Sequence, residues 1–495
     1  VAEWSHEQKA LRRLLLGAAA IGCLWDFLLY GKEFGISYLL FVIAMYALYG
    51  WQARWHGQLS FSRKHVYAWL LTVPIVLLAS SFALFSNGYF QLLNFALVPL
   101  LFVIQTMLLT GRHKAKWYEP GFVGELLEML FSFTLKHTRL PFALTREWLK
   151  GRMNQEKYGV LKKVLIGVGI SLPILFVVLT LLSQADQVFG HFLREMPGRM
   201  IDLDAVEGAF RLFLIGLVTI LVFGYLYSLF GKREEAVEIP LPPKERKLVW
   251  DGVILVTVLS IIDFVYAAFT YVQISYLFSG DKATLPDGLT YAEYAKNGFQ
   301  ELVLVTVINF VILLCTMYLV SQTKRLLYRV VQVLLTALTV CTSFILFSAY
   351  YRLSLYEQAY GYTHSRLLAH IFMIFLLILF VIALCKIWRH TLSLMKYYAV
   401  VSLVSYVLLN YINMDVIIAK NNMERYHATG NIDVAYLGRL SYDVVPYLLE
   451  LKEDESLREH AVYYLENKRE ELLANRSWQS FNLSKHRARQ LLQLP

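Results

Sequence analysis

The residues best placed to do chemistry in this 495-residue chain are charged side chains set inside or beside apolar runs. Asp263 stands in the middle of "LSIIDFVYAAF", Asp26 lies in "CLWDFLLY", and Asp415 closes a run with Asn410 and Asn413 nearby. Arg211 and Glu301 each open a run. A charge at the centre of a bilayer costs at least about 2.5–3.5 kcal/mol, so such a group needs a partner or a water-filled cavity. Asp263 therefore reads either as a protonatable or cation-binding carboxylate, or as a structural hydrogen bond to a neighbouring helix. A second pattern sits at the run ends, in "SQADQVF", "TYAEYAKNGFQE", "YYRLSLYEQAYGYTHSR" and "NMDVIIAKNNMERY". There Arg352 is the one basic residue among Asp186, Glu293, Glu301, Glu357 and Asp415, with Tyr360 close by. Its planar fork suits a carboxylate or a phosphate. The other reading of this cluster is a latch that holds the C-terminal tail on the bundle.

Conventional catalytic motifs are missing. The chain has no G-x-x-x-x-G-K-[ST] phosphate loop, no H-E-x-x-H helix and no G-x-S-x-G elbow. His364 and His370 are six apart, which does not present a shared face for a metal. No metal and no cofactor are expected. The four cysteines, Cys23, Cys315, Cys341 and Cys385, lie in apolar runs without close spacing and read as small buried hydrophobes.

The elements that must carry these residues are set by composition. Apolar residues make up 57% of the chain and charged ones only 17%, against about 25% charged in soluble domains. The excess comes in blocks of about 20 residues, the length of a helix that crosses a hydrocarbon core of about 30 Å. A soluble enzyme is excluded, and the net charge of +10 does not signal nucleic acid. The expected spans are 11–30, 35–51, 66–85, 90–109, 163–182, 209–230, 249–278, 299–320, 328–350, 366–388 and 395–418. Each must be helical, because hydrocarbon offers free backbone groups no partner. With the N-terminus cytoplasmic, 28 of the 47 Lys and Arg fall in inside segments and seven in outside loops. Eleven spans then put the C-terminus outside. The first run is read as a retained span, not as a removed signal peptide.

The expected fold is thus all-α, a polytopic transmembrane bundle of about eleven spans with a small C-terminal helical domain. It divides into four first spans (1–110), a cytoplasmic amphipathic segment (111–162), a seven-helix core (163–418) and an extracytoplasmic helical tail (419–495). In the second part, Phe122, Leu126, Leu130 and Phe133 recur at helical spacing behind Pro120. Basic residues surround them. This segment reads as an in-plane helix on anionic lipid or as a helix packed on the bundle. Pro74 and Pro173 are candidate helix breakers.

Several motifs in one order resemble a known family: "LLSQADQVF", "LTYAEYAKNGFQEL", "RLSLYEQAYGYT", "NMDVIIAKNNMERY", "IDVAYLGRLSYDVVPYL" and "WQSFNLSKHRARQLL". The chain resembles the bacterial multi-pass membrane family called domain of unknown function 4173, related to the broader family 4153. The resemblance runs from about residue 160 to the C-terminus. It falls on Asp186, Glu293, Arg352, Tyr360, Gly361 and Thr363, then on Asn413, Asp415, Asn422, Arg425, Asp433 and Tyr436. It implies a bacterial plasma-membrane protein and no assigned activity. Asn297, where the pattern implies Arg, is a departure. Three functional classes stay open. One is a transporter or channel-like protein with an outer-face polar cluster. Another is a sensor, regulator or assembly factor whose tail binds a protein partner. The third is an enzyme acting on a lipid-linked substrate, the least supported because no nucleophile or metal set is evident.

Overall fold

The computed structural model describes residues 6–57, 65–150, 203–231, 251–278, 299–319, 325–389, 391–474 and 477–494, with scattered positions between 163 and 182. Every element among the described residues is a helix. Eight are long and apolar enough to cross a membrane: Ile36–Trp55, Val66–Leu84, Gly88–Thr110, Glu207–Phe230, Gly252–Gln273, Phe299–Tyr318, Arg325–Tyr360 and His364–Trp388. A ninth candidate is the pair Leu394–Tyr411 and Met414–Thr429, bent by 58° at its break. The chain is a multi-pass membrane protein. Most of the expected span at 163–182 lies outside the described residues.

The helices fall into two compact units. The first comprises Val1–Ala83, Asn94–Arg233 and Ser477–Phe481; the second comprises Leu84–Leu93, Glu234–Arg476 and Asn482–Pro495. In the first unit, α1 (His6–Leu29) is followed by α2 (Ile36–Trp55), α3 (Val66–Leu70), α4 (Thr72–Leu84) and the part of α5 (Gly88–Thr110) from Asn94 on. After these come α6 (Pro120–Leu127), α7 (Arg139–Lys150) and α8 (Leu203–Phe230). Helix α1 lies close on α8 because Gly22 faces it. A Cβ on Gly22 would run into Thr219 Oγ1 and would meet the Ile215 carbonyl at 2.6 Å. Asp26, one turn further on, takes both arms of Arg211 at 2.9 and 2.5 Å. The two residues that read as isolated charges in apolar runs are thus each other's partner. The break between α3 and α4 falls at Leu71. Pro74, three residues on, cannot donate to the Leu70 carbonyl, which explains the break there.

The amphipathic segment packs on its own unit. Phe122, Leu126 and Met129 are buried, and Ser228 of α8 donates to Met129 Sδ at 3.5 Å. The helical register expected through Phe133 shifts, however, because Glu128–Phe133 is a π-helix. Met129, three residues after Leu126, is buried in place of Leu130, and the wide turn puts the next buried residue among those described, Thr134, five positions on. Val123, Leu127, Phe131 and Leu135 form a second, exposed apolar line.

The second unit holds α9 (Gly252–Phe278), α10 (Phe299–Leu319), α11 (Arg325–Tyr360), α12 (His364–Trp388), α13 (Leu394–Tyr411) and α14 (Met414–Thr429). Leu259, Leu313, Leu338, Ala349 and Phe380 centre the core of its apolar helices. Helix α11 has 36 residues, about 54 Å at 1.5 Å per residue, and so exceeds the hydrocarbon thickness. This corrects the expectation of a long connection after residue 350. Arg352, Glu357 and Tyr360 are helical, and only Gly361–Thr363 joins α11 to α12. Gly361 turns there with φ +84°, and its missing Cβ would lie 2.7 Å from Asn422 Oδ1.

The tail adds α15 (Val434–Gly438), α16 (Val445–Leu451), α17 (Arg458–Ala474) and α18 (Leu483–Leu491). A second core joins them to α14 through Ile418, Leu437, Val444, Leu448 and Leu465. Asn413, Asp433 and Asn482 each cap a helix with a side-chain oxygen, at Val416, Tyr436 and Lys485. The cysteines correct a further expectation. Cys23, Cys315 and Cys385 are exposed and Cys341 is half-buried. Hydrocarbon solvates a small apolar side chain as well as a bundle interior does, so burial offers it no advantage.

Candidate functional site

The apolar helices of the second unit share a polar seam. On α9, Asp263, Tyr266, Thr270 and Gln273 recur at intervals of three and four, which puts them on one face. Buried Thr306, Asn309 and Thr316 do the same on α10, and Thr339, Thr342 and Ser348 continue the seam on α11. Cross-helix bonds stitch it together. Asn309 Nδ2 donates to Thr342 Oγ1 at 3.0 Å, and Ser348 Oγ donates to Gln273 Oε1 at 2.8 Å. Thr306, Thr339 and Thr342 each donate their hydroxyl to the carbonyl four residues earlier. Their lone pairs consequently remain on the seam.

Asp263 is the seam residue with both side-chain oxygens unpartnered among the described residues, and Thr270 Oγ1, on the same face, is likewise buried without a partner. The aspartate is 9% exposed and lies near the middle of α9. Asn309 Oδ1 is buried and unpartnered in the same way. A buried oxygen without a donor costs about 1–3 kcal/mol, more if it is charged. The seam thus presents acceptors, and what they call for is a proton, water or a cation.

The remaining expected residues separate into distinct places. Arg352 Nη2 donates to Gln273 Oε1 at 3.2 Å. Gln273 is ten residues, about 15 Å, along α9 from Asp263. Glu357 is buried and meets His370 Nε2 at 2.9 Å, with the Tyr350 ring edge-on to that imidazole at 4.3 Å. Asp415 is buried and meets His364 Nε2 at 2.5 Å, and Ser441 N–H donates to its other oxygen at 3.2 Å. Glu301 is exposed in the first turn of α10, and Tyr360 is exposed at the end of α11, beside Tyr356. Asp186 and Glu293 lie outside the described residues. The expected cluster is therefore spread along the helices.

Around Asp415 the structure gathers residues that do not stand out as charges in apolar runs. The Tyr436 hydroxyl accepts the His364 backbone N–H at 2.8 Å and meets its Nδ1 at 3.2 Å. Burial holds that phenol above its ordinary range. Asn422 clamps Tyr362 with two bonds of 2.9 Å, one to its N–H and one to its carbonyl. Arg425 donates to the Ala359 carbonyl at 3.1 Å. Lys468 of α17 is buried, and its ammonium donates to the Leu440 carbonyl at 2.6 Å. Burial depresses its pKa, while Glu471 and Asp415 pull the other way. The shared signal for Gly361, Asn422, Arg425 and Tyr436 was their place in the ordered motifs. For Lys468 no sequence signal existed, since a single lysine on a polar helix reads as solvated.

With this geometry in view, the comparisons with known proteins add one finding. The sequence pattern of the family described as a domain of unknown function (DUF4153) matches residues 72–451. The chain belongs to that family. The match covers α4 to α16 and so takes in the seam, the His364–Asp415 pair and the start of the tail. Neither a curated protein nor a solved structure matches the chain.

Proposed function

We propose that this chain is a transporter or channel-like protein in which Asp263 takes up a proton or a cation on the way across the membrane. The observation that carries the reading is the buried carboxyl of Asp263, without a donor among the described residues, on a seam of acceptor oxygens between membrane-crossing helices. Ionisable residues inside membrane-crossing helices are costly to bury and mark ion pathways and proton relays. The tail bears on the choice between transport and partner capture. Asn422, Arg425 and Tyr436 spend their polar groups on the α11–α12 turn, as a latch does.

The same proposal includes eleven spans, with α1 and residues 163–182 added to those above. It puts the N-terminus on the cytoplasmic side, the helical tail outside, and the protein in a bacterial plasma membrane. It also places the chain in the narrower family 4173, on the ordered motifs. The basic residues around the 111–162 segment then face anionic cytoplasmic lipid. Glu301, Arg352 and Tyr360 then stand on the outer side, as an entrance, with the segments that carry Asp186 and Glu293 assigned to the same side by the order of the spans.

The test is flux. Protein reconstituted in liposomes with an imposed pH gradient should move protons, read by an entrapped pH dye. Asp263→Asn should abolish that flux while the protein still inserts and elutes as a single species. Equal flux in wild type and variant, or none in wild type under any cation gradient, removes the reading.

A further inference from the structure

The acceptors on the seam of the second unit outnumber what a proton can serve. Asp263 Oδ1 and Oδ2, Asn309 Oδ1 and Thr270 Oγ1 all lack a hydrogen-bond partner among the described residues, and each of these side chains is nine-tenths or more buried. The direction of the Asn309 amide is fixed by its neighbour. The Thr342 hydroxyl is spent on the Leu338 carbonyl at 2.6 Å, so towards Asn309 it can only accept. Nδ2 therefore turns to Thr342, at 3.0 Å, and Oδ1 is left as an acceptor. Thr306, on the same face of α10, has likewise given its hydroxyl proton to the Leu302 carbonyl, at 2.8 Å.

Contacts between the helices bring these oxygens into one region. Tyr266, three positions on from Asp263, carries its hydroxyl to the Asn309 side chain and so ties α9 to α10. Cys341, next to Thr342 on α11, stands beside Thr270 and within electrostatic reach of Asp263. Asp263, Asn309 and Thr342 all lie near the middle of their apolar helices. Thr270 is seven residues, about 10 Å, further along α9, and so offers the next acceptor on the same line.

Charge decides what suits them. No Lys or Arg forms an ion pair with Asp263 among the described residues. A proton neutralises the carboxyl but can serve only one further oxygen. A cation takes lone pairs from several oxygens at once and balances the carboxylate as well. The size of its charge follows from the donor set. Calcium sites draw on several carboxylates, and transition metals on imidazole or thiolate. Among the described residues, no group of three or more His, Cys, Asp and Glu could hold a metal ion. One carboxylate among neutral oxygens balances a single positive charge.

We propose that Asp263 and Asn309 bind a monovalent alkali cation, sodium or potassium, in the middle of the membrane-crossing helices, and that Thr270 receives it next. The cation is the cargo of the transport proposed above, and its assignment rests on that reading of Asp263.

The full-length protein in phosphatidylcholine nanodiscs, kept in choline chloride, is titrated with sodium or potassium chloride at constant ionic strength while its melting temperature is followed. Equilibrium binding of radioactive sodium, with potassium as competitor, gives the affinity. A saturable rise in melting temperature is expected with at least one of the two ions, and shows which one the site takes. Asp263→Asn should remove it. Asn309→Leu, which leaves the carboxyl in place but loses the acceptor, should weaken the affinity about tenfold or more, the loss of one ligand oxygen. Both variants are checked for insertion and for elution as a single species; where Asn309→Leu fails that check, Asn309→Ala gives the same reading. No stabilisation of wild type by either ion, or binding by the Asn309 variant as tight as wild type, overturns the proposal. Asp263-dependent proton flux without alkali-cation binding overturns it too but leaves the transport reading standing. Binding without flux supports the site and removes the transport reading.

Discussion

Lys468 shows how one buried side chain carries a pH signature. Its ammonium holds the Leu440 carbonyl inside the tail, yet burial disfavours its charge, so its folded pKa lies below the ordinary lysine value. A lysine with a depressed folded pKa binds its proton less well in the native state than in the unfolded chain. Stability therefore rises with pH between the folded value and the ordinary one, and is flat outside that window. Melting temperatures measured across the alkaline range should climb in wild type relative to Lys468→Met. Parallel pH profiles would show that the amine is not desolvated. Gly361 and Asn422 form a second pair whose roles could be read at the level of single residues. An ordered motif pointed to both, but not to the positive φ of one or to the amide clamp of the other.

At the level of helices, small residues decide which elements meet. The α1–α8 contact depends on Gly22, because the Ile215 carbonyl occupies the space where a side chain would begin. In lipid there is no hydrophobic drive between helices, so this close approach supplies much of the association. Gly22→Val should separate α1 from α8 and break the Asp26–Arg211 pair with it. A melting temperature lowered by several degrees and a broadened elution profile are the expected readings. An unchanged melt would mean that α8 accommodates the side chain. The long α11 makes the opposite point. Its apolar centre was plain from composition, but its continuation through Arg352 and Glu357 was not, because "YYRLSLYEQAY" has the polarity of a loop. Glu357 is buried there against His370 of α12. A helix can carry polar residues beyond an apolar run when a neighbouring helix supplies the partners.

For the molecule as a whole, the order of the chain and the composition of the units differ. Ser477–Phe481 belongs to the first unit although the sequence on either side belongs to the second. Within the first unit, Ile36 N–H donates to the Phe481 carbonyl at 2.9 Å, and Trp478 lies against Phe27 at 6.2 Å. A Cβ on Gly35 would meet that same carbonyl at 2.5 Å. The start of α2 is thus closed by residues more than 400 positions away. A chain ending before Ser477 should lose stability in its first two helices, seen as faster proteolysis between residues 30 and 36 than in the full chain. Equal cleavage in the two would show that this closure contributes nothing.

Composition and period were enough to establish a helical, multi-pass membrane protein, since only helices of about 20 apolar residues satisfy their own backbone in hydrocarbon. They also marked Asp263 as a charge inside a span, whereas Glu357 read as part of a loop and Asp415 as the end of a run, so their burial was not legible. Partner choice was a different matter. That Asp26 meets Arg211, Glu357 meets His370, Asp415 meets His364, and Asp263 meets no donor among the described residues depends on which helix faces which. Spacing along one helix specifies a face but not its neighbour. The acceptor set around Asp263 is likewise a product of packing, since its oxygens come from α9 and α10, two segments that share no local pattern.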